Sequence, residues 1–222
     1  MTEQIGRIHD FHNAEYAQDW ANRFAPTPPR QQLFDLIVNC LLDGPLPYPH
    51  IVELGIGPGY LALEVLQRVP KVTKVTKVTY EGVDFSQPML DIAAKRLHAH
   101  RDRLTFTQAD LTSDGWGSKI SQTPGAIITT WALHDLGSES AIKAVYTAAK
   151  QVLPTGGLLL NGDFVKPEAT AFEFEAGRIT INRHLALLTE CGFRDVQCRA
   201  YLEPNADAPT PANNYACFTA YV

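Results

Sequence analysis

The residues best able to do chemistry sit on one glycine-rich turn and at the ends of apolar runs. Glu53-Leu54-Gly55-Ile56-Gly57-Pro58-Gly59-Tyr60 follows Ile51 and Val52. Glycine has no Cβ, so Gly55, Gly57 and Gly59 let the backbone turn sharply and let a ligand approach main-chain atoms closely. A helix starting behind such a turn aims free N–H groups and a positive dipole end at that ligand. Asp84 ends the run Val78 to Val83, where a carboxylate could accept two charge-assisted hydrogen bonds from a cis-diol. Asp110 follows Thr107-Gln108-Ala109, and His134 follows Ile127-Ile128-Thr129-Thr130-Trp131-Ala132-Leu133. Imidazole, with an ordinary pKa of about 6.5, suits a general base near neutral pH. Asp135 beside it could orient or cap, and adjacency alone does not make the two a dyad.

The spacing excludes the commonest alternative. A dinucleotide fingerprint needs its third Gly or Ala where this chain has Tyr60. The order acidic, any, Gly, any, Gly, any, Gly instead resembles the first motif of the class I S-adenosylmethionine-dependent methyltransferases. Val78 to Ser86 resembles that family's second strand and its ribose-holding acid, Asp84. Thr107 to Leu111 resembles the segment whose acid, Asp110, reads the adenine amino group, and Ile127 to Asp135 resembles the fourth strand and its exit. The resemblance covers about residues 50 to 222. It implies S-adenosylmethionine as cofactor, with contacts at Glu53, Gly55, Gly57, Gly59, Asp84, Phe85, Met89, Asp110, Leu111, Thr130 and Trp131. Met89 reads equally well as core, because Met fills either environment. The implied reaction is in-line methyl transfer to a small-molecule acceptor, with His134 as the base if the acceptor must lose a proton. Tyr16, Trp20, Asp163 and His184 are the substrate-pocket candidates. A module that binds the cofactor without using it, and an enzyme acting on RNA or protein, are the other readings. The exit of the fourth strand carries no Asn-Pro-Pro-aromatic or Asp-Pro-Pro-aromatic motif that would grip a planar base amine.

Patterning supplies the elements that must position these groups. His9, Phe11, His12, Tyr16, Trp20 and Phe24 have helical spacing ahead of the breaker Pro26-Thr27-Pro28-Pro29. Leu33 to Leu42 gives a second helix, and together these form an N-terminal helical cap over residues 1–45. Residues 46–222 form the cofactor domain. Strand and helix then alternate: Leu61 to Val69 as helix, Val78 to Asp84 as strand, a helix capped by Ser86, Leu104 to Asp110, then Ala126 to Trp131. The last is apolar enough for a parallel strand buried on both faces. A helix begins at Ser138 and ends near Pro154, and Leu158 to Leu160 forms the fifth strand. Asn161 to Pro167 reads as a loop placed to line an acceptor pocket. A helix from Ile181 and two closing strands, Val196 to Tyr201 and Tyr215 to Val222, complete a doubly wound, mostly parallel, seven-stranded α/β sheet of Rossmann-like type with a C-terminal antiparallel strand.

Lys71 to Thr79 is one triplet, Lys-Val-Thr, three times over, and a period of three fits neither helix nor two-faced strand. From Gly59 to Asp84 is 25 residues, against about 20 in nucleotide-binding relatives, so the repeat reads as an insertion whose last copy enters the second strand and whose others lengthen its lead-in loop.

The 222 residues carry 45% hydrophobic and 19% charged side chains and a net charge of −5, ordinary for one globular domain with appendages and adverse to a nucleic-acid partner. The first twenty residues lack an apolar signal core, and no run reaches the length of a membrane span, so a cytoplasmic location with no membrane partner is expected. Cys40, Cys191, Cys198 and Cys217 have no metal-ligand spacing, and all four are expected to be buried thiols without metal or disulfide. Oligomeric state has no signature here.

Overall fold

The computed structural model describes residues 9–69, 72–73, 76–207, 210 and 212–222. Its centre is a strand buried along its whole length, β1 (His50–Leu54). Two helices precede it, α1 (Ala14–Arg23) and α2 (Pro28–Leu42). Asn13 caps α1 by accepting from the Tyr16 N–H, and proline in the first turn of α2 uses a position whose N–H would be unpaired anyway. After the glycine turn come α3 (Tyr60–Arg68), two short strands β2 (Val72–Thr73) and β3 (Thr76–Lys77), then β4 (Thr79–Asp84) and α4 (Gln87–Arg96). The rest runs β5 (Leu104–Gln108), β6 (Ala126–Thr130), α5 (Glu139–Val152), β7 (Leu158–Phe164), α6 (Ile181–Glu190), β8 (Arg194–Leu202) and β9 (Tyr215–Tyr221).

The main sheet has the order β5-β4-β1-β6-β7-β9-β8. Its first five strands are parallel, and β9 runs antiparallel to both β7 and β8. The chain winds outward from β1 through β4 to β5, then returns to the other side of β1 for β6. The carboxyl ends of β1 and β6 therefore flank the point where the winding reverses, the place where open α/β sheets bind ligands.

Two apolar layers cover the sheet. On one face Leu33, Phe34, Ile37 and Leu41 of α2 pack with Leu61 and Val65 of α3, Leu90 and Ala93 of α4 and the strand residues Ile51, Ile128 and Leu160. On the other, Ile142, Val145 and Ala149 of α5 and Leu187 and Leu188 of α6 pack on Val52, Ile127 and Leu159, with Trp116 tucked in from a 3-10 turn. α2 covers this face of the sheet, as its apolar run implied: a Cβ on Gly162 of β7 would stand 2.9 Å from Leu33. α1 packs against α4 instead.

Three sequence expectations change. The fifth strand does not stop at Leu160 but continues through Asn161, Gly162, Asp163 and Phe164, because β9 pairs with every one of these residues and gives their backbone groups partners. The repeat does not form a plain loop. Val72–Thr73 and Thr76–Lys77 pair antiparallel in a small separate hairpin, and Thr79 of the last copy opens β4, while Lys71, Lys74 and Val75 lie outside the described residues. Of the four thiols, Cys40 and Cys217 are buried, but Cys191 and Cys198 are only half-buried. Among the described residues no helix is long and apolar enough to cross a membrane.

Candidate active site

The glycine turn is shaped by three left-handed residues: Gly55, Gly57 and Gly59 have φ of 67°, 52° and 79°. Their surroundings differ. A Cβ on Gly55 would stand 2.5 Å from the Cβ of Ala132, so its absence lets the exit of β6 close onto the turn. Around Gly57 nothing lies within 4 Å of such a Cβ, which leaves an open cradle over main-chain atoms. Gly59 is the N-cap of α3 and packs on Ala93 and Leu97 of α4.

Asp84 ends β4 beside this cradle. One carboxylate oxygen accepts from the Gly57 N–H at 2.8 Å and the other from the Ser86 N–H at 2.9 Å. Burial pushes its pKa up to about 6 against these backbone donors, so the group is mostly ionised at neutral pH. Each oxygen retains acceptor capacity, since a carboxylate offers about four lone-pair sites. Ser86 also caps α4 by accepting from the Met89 N–H. Met89 is buried, whereas Phe85 is exposed and meets His12 and Phe11 edge-on, with ring centroids 5.3 and 6.2 Å away. Asp110 lies two residues beyond Gln108, the register partner of Asp84, and its Oδ1 accepts from both the N–H and the hydroxyl of Thr112. Leu111 beside it is half-buried against the α5 and α6 layer.

Glu53 departs from expectation. It is 1% exposed and accepts the Tyr80 hydroxyl at 2.5 Å inside the core, and burial pushes its pKa up to about 8. It braces β1 against β4 from within, because a side chain on this strand points into the layers that cover it. Glu81 shows that partners rather than burial decide the charge. Burial opposes its ionisation too, but donors on His50, Ser121 and Thr107 outweigh that and hold its pKa at about 2.

On the far side of the switch point, Thr130 and Trp131 leave β6. The Trp131 backbone is left-handed, φ 48°, and its N–H donates to Gly162 O at 2.9 Å. His134 follows in a 3-10 turn, His134–Leu136. Its Nδ1 lies 2.7 Å from Asp163 Oδ1, and its backbone N–H donates to Asp163 Oδ2 at 3.0 Å, so one carboxylate fixes both ring and backbone. Asp163 is fully buried on β7 and also accepts from the Phe164 N–H. Asp135 Oδ1 comes within 3.2 Å of Nε2, closer than adjacency in sequence led us to expect, because the tight turn folds the carboxylate back. Burial favours the neutral ring, yet the charge and hydrogen bond of Asp163, aided by Asp135, outweigh it and raise the His134 pKa. A Cβ on Gly177 would strike the His134 carbonyl oxygen, so the loop before α6 packs directly on this turn.

Aromatic rings and two guanidinium groups surround the same exits. Trp131 packs with Phe34, Phe164 and Tyr215, and His134 meets Phe164 edge-on at 5.1 Å. Arg178, buried and paired with Glu175 at 2.9 Å, lies 4.4 Å over the Phe164 ring. From the N-terminal side Tyr16 bonds His9 through its hydroxyl, and Trp20 stacks on Phe24 at 4.5 Å. His184 is not part of this constellation. It is completely buried between α5 and β9, where its Nδ1 accepts from the Tyr146 hydroxyl and burial lowers its pKa to about 4. The helical face on which the sequence places His184 turns inward, and nothing local marks it as core. Asp163 was a pocket candidate, and the missed signal was the strand that carries it: Leu159, Asn161 and Asp163 alternate with Leu160, Gly162 and Phe164, a period of two that continues the strand. Phe34, Arg30, Phe164 and Tyr215 had no local signal.

The donor set fits a nucleoside cofactor. An open glycine cradle, a buried carboxylate with spare acceptor sites and an exposed aromatic at Phe85 offer what a ribose and a planar base require. Among the described residues no cluster of three or more His, Cys, Asp or Glu side chains could hold a metal ion.

Comparison with known proteins agrees in outline. The carbon methyltransferase CurJ superposes with a TM-score of 0.71 at 15% identity, covering 95% of this chain and 58% of its own. Magnesium protoporphyrin IX methyltransferase from Synechocystis PCC 6803, solved with bound SAM, gives a TM-score of 0.68 at 17% identity over 96% of this chain and 94% of that one. The (4+2)-cyclase SpnF gives 0.63 at 20% identity over 86% of this chain and 80% of its own. The chain spans less than two thirds of the length of CurJ and of the carbon methyltransferase DszA. At these identities the likeness is one of fold. No curated protein sequence matches significantly. A family model described as a methyltransferase domain matches residues 51–157, which include the glycine turn, Asp84, Asp110 and His134. Residues 51–157 of this chain match a methyltransferase-domain model, and the chain has the fold of the methyltransferases it superposes on.

Proposed function

We propose that the protein transfers a methyl group from S-adenosylmethionine to a small-molecule acceptor, with His134 as general base. When bound, S-adenosylmethionine supplies an electrophilic methyl group on a sulfonium. The chain's own part is binding, orientation and proton removal. Gly55, Gly57 and Gly59 would admit the cofactor to main-chain N–H groups, Asp84 would accept its ribose hydroxyls, and Asp110, Phe85 and Leu111 would border its base. Thr130 and Trp131 would separate cofactor from acceptor. Holding two reactants in a near-attack geometry can supply about 7–11 kcal/mol of a barrier, so positioning carries most of the work.

The observation that carries this reading is the Asp163–His134 pair beside the Gly55–Ala132 contact. Asp163 holds the proton on Nδ1, and Nε2 could take a proton from an acceptor hydroxyl or ammonium that displaces Asp135 Oδ1 from its place 3.2 Å away. Tyr16 and Trp20 would close the acceptor side. The likeness to SpnF is a reminder that the fold also serves other chemistry, so the test separates binding from turnover. Titration calorimetry with S-adenosylmethionine, S-adenosylhomocysteine and NAD should give micromolar binding of both adenosyl ligands and none of NAD. Binding of NAD alone would reject the cofactor. Cofactor binding with no methylated product across an acceptor screen would leave a sensor or partner-binding module.

A further inference from the structure

Three groups able to donate hydrogen bonds lie beside the exits of β6 and β7, two of them with no partner among the described residues, and this bears on what kind of molecule the acceptor site takes. The Trp131 indole N–H and the Tyr215 hydroxyl are buried and have no hydrogen-bond partner among the described residues. Buried polar groups in native proteins are nearly always satisfied, so two orphans on neighbouring rings call for a partner from outside the chain. The rings are neighbours: Trp131 and Tyr215 have centroids 6.0 Å apart, and Phe164 completes the triangle at 6.1 Å from Trp131 and 5.9 Å from Tyr215.

Arg30 is the third donor. Its guanidinium carbon lies 5.3 Å from the Trp131 ring and 5.0 Å from that of Phe24, and Nη1 donates to Phe24 O at 3.1 Å. Among the described residues no carboxylate lies within ion-pair distance of it. It stands in the first turn of α2, behind Pro28 and Pro29. On a chain with a net charge of −5, an unpaired cation over an aromatic floor is a local inversion of sign.

Unpartnered N–H and O–H groups select a polar ligand atom, a guanidinium with no ion pair selects negative charge, and an aromatic floor selects a flat partner. We propose that Arg30, Trp131 and Tyr215 recognise the carboxylate of a planar, conjugated acceptor, whose ring system lies against the cluster that Trp131, Phe164 and Tyr215 form. This specifies the substrate class for the acceptor site described above, and so rests on that reading of the site. Arg30 and Phe24 roof the rings, so entry requires the segment around Phe24 to lift.

The test is titration calorimetry of the full chain, with and without saturating S-adenosylhomocysteine, using three probes. Trans-cinnamate is planar and anionic, cinnamamide planar and neutral, and 3-cyclohexylpropionate anionic but not planar. Cinnamate should bind at least roughly ten-fold more tightly than either of the others, as expected for one lost charge-assisted contact or one lost stacking surface. Arg30→Gln should abolish the preference of acid over amide, Arg30→Lys should keep most of it, and Tyr215→Phe should weaken cinnamate while leaving S-adenosylhomocysteine affinity unchanged. Equal affinity for acid and amide, no binding of cinnamate, or a preference that survives in Arg30→Gln would overturn the proposal. The native chain alone decides the first two outcomes, should a variant fail to fold. Binding of S-adenosylhomocysteine without discrimination among the acids would sink this inference and spare the cofactor reading. Discrimination without S-adenosylhomocysteine binding would do the reverse.

Discussion

His134 gains its chemical character from a residue 29 positions away. Asp163 fixes its tautomer and orientation and, with Asp135, makes the imidazolium easier to form. The raised pKa has a kinetic sign: the base is active only once deprotonated, so turnover should rise with pH through a midpoint above 6.5, the ordinary histidine value. Removing the negative charge of Asp135 by Asp135→Asn should move that limb to lower pH, which a pH–rate profile of the two proteins would show. His134→Gln should cut turnover by about 10²–10⁴-fold with cofactor affinity intact; an unchanged rate on a known acceptor would exclude its role as base. The role proposed for Asp84 is in binding instead. Asp84→Ala should weaken S-adenosylhomocysteine binding by about one to two orders of magnitude in calorimetry, the worth of two charge-assisted hydrogen bonds.

The elements hold these residues by close approach. Gly55→Ala would place a methyl group 2.5 Å from Ala132 on a left-handed backbone, and should cost roughly 1–3 kcal/mol in chemical denaturation together with cofactor binding. Gly44→Ala, with open space around it, is the matched control and should change neither. The N-terminal segment is clasped to the two turns that frame the cradle: the Ser86 hydroxyl donates to Phe11 O and the Tyr60 hydroxyl to Ala21 O at 2.9 Å. Tyr60→Phe removes one clasp and keeps the ring under the Arg96 guanidinium, 3.8 Å away. Amide exchange in α1 should then quicken by roughly two- to twelve-fold, the worth of one hydrogen bond, while exchange in α5 stays as it was.

At the scale of the whole molecule, two buried glutamates tie stability to pH with opposite signs. Glu53, with a folded pKa of about 8 against an ordinary 4.5, keeps a proton that the unfolded chain releases, so its contribution to stability falls as pH rises from 4.5 to 8. Glu81, at about 2, contributes above pH 4.5 and loses that contribution as pH falls toward 2. Melting curves should show Glu53→Gln gaining on the parent chain as pH rises from 5 to 8, and a constant difference across that range would contradict the assignment. The class of the fold was legible because it is written in local periodicities: apolar runs, helix caps at Ser86 and Ser138, and a glycine turn whose spacing names its strand and helix. The glycine turn and the place of Asp84 beside it were legible for the same reason, since left-handed backbone favours glycine at those positions. The burial of Glu53 and His184 was not, because a carboxylate or imidazole reads the same whether it faces a cradle or a core. The amino-acid sequence by itself determined the parallel sheet, the turn and the order of the motifs, which depend on neighbours a few residues apart. Only the tertiary structure decided that Asp163 grips His134 and that Arg30, Trp131 and Tyr215 converge. Those pairings join distant segments through the register of β6, β7 and β9, and no local pattern encodes that register.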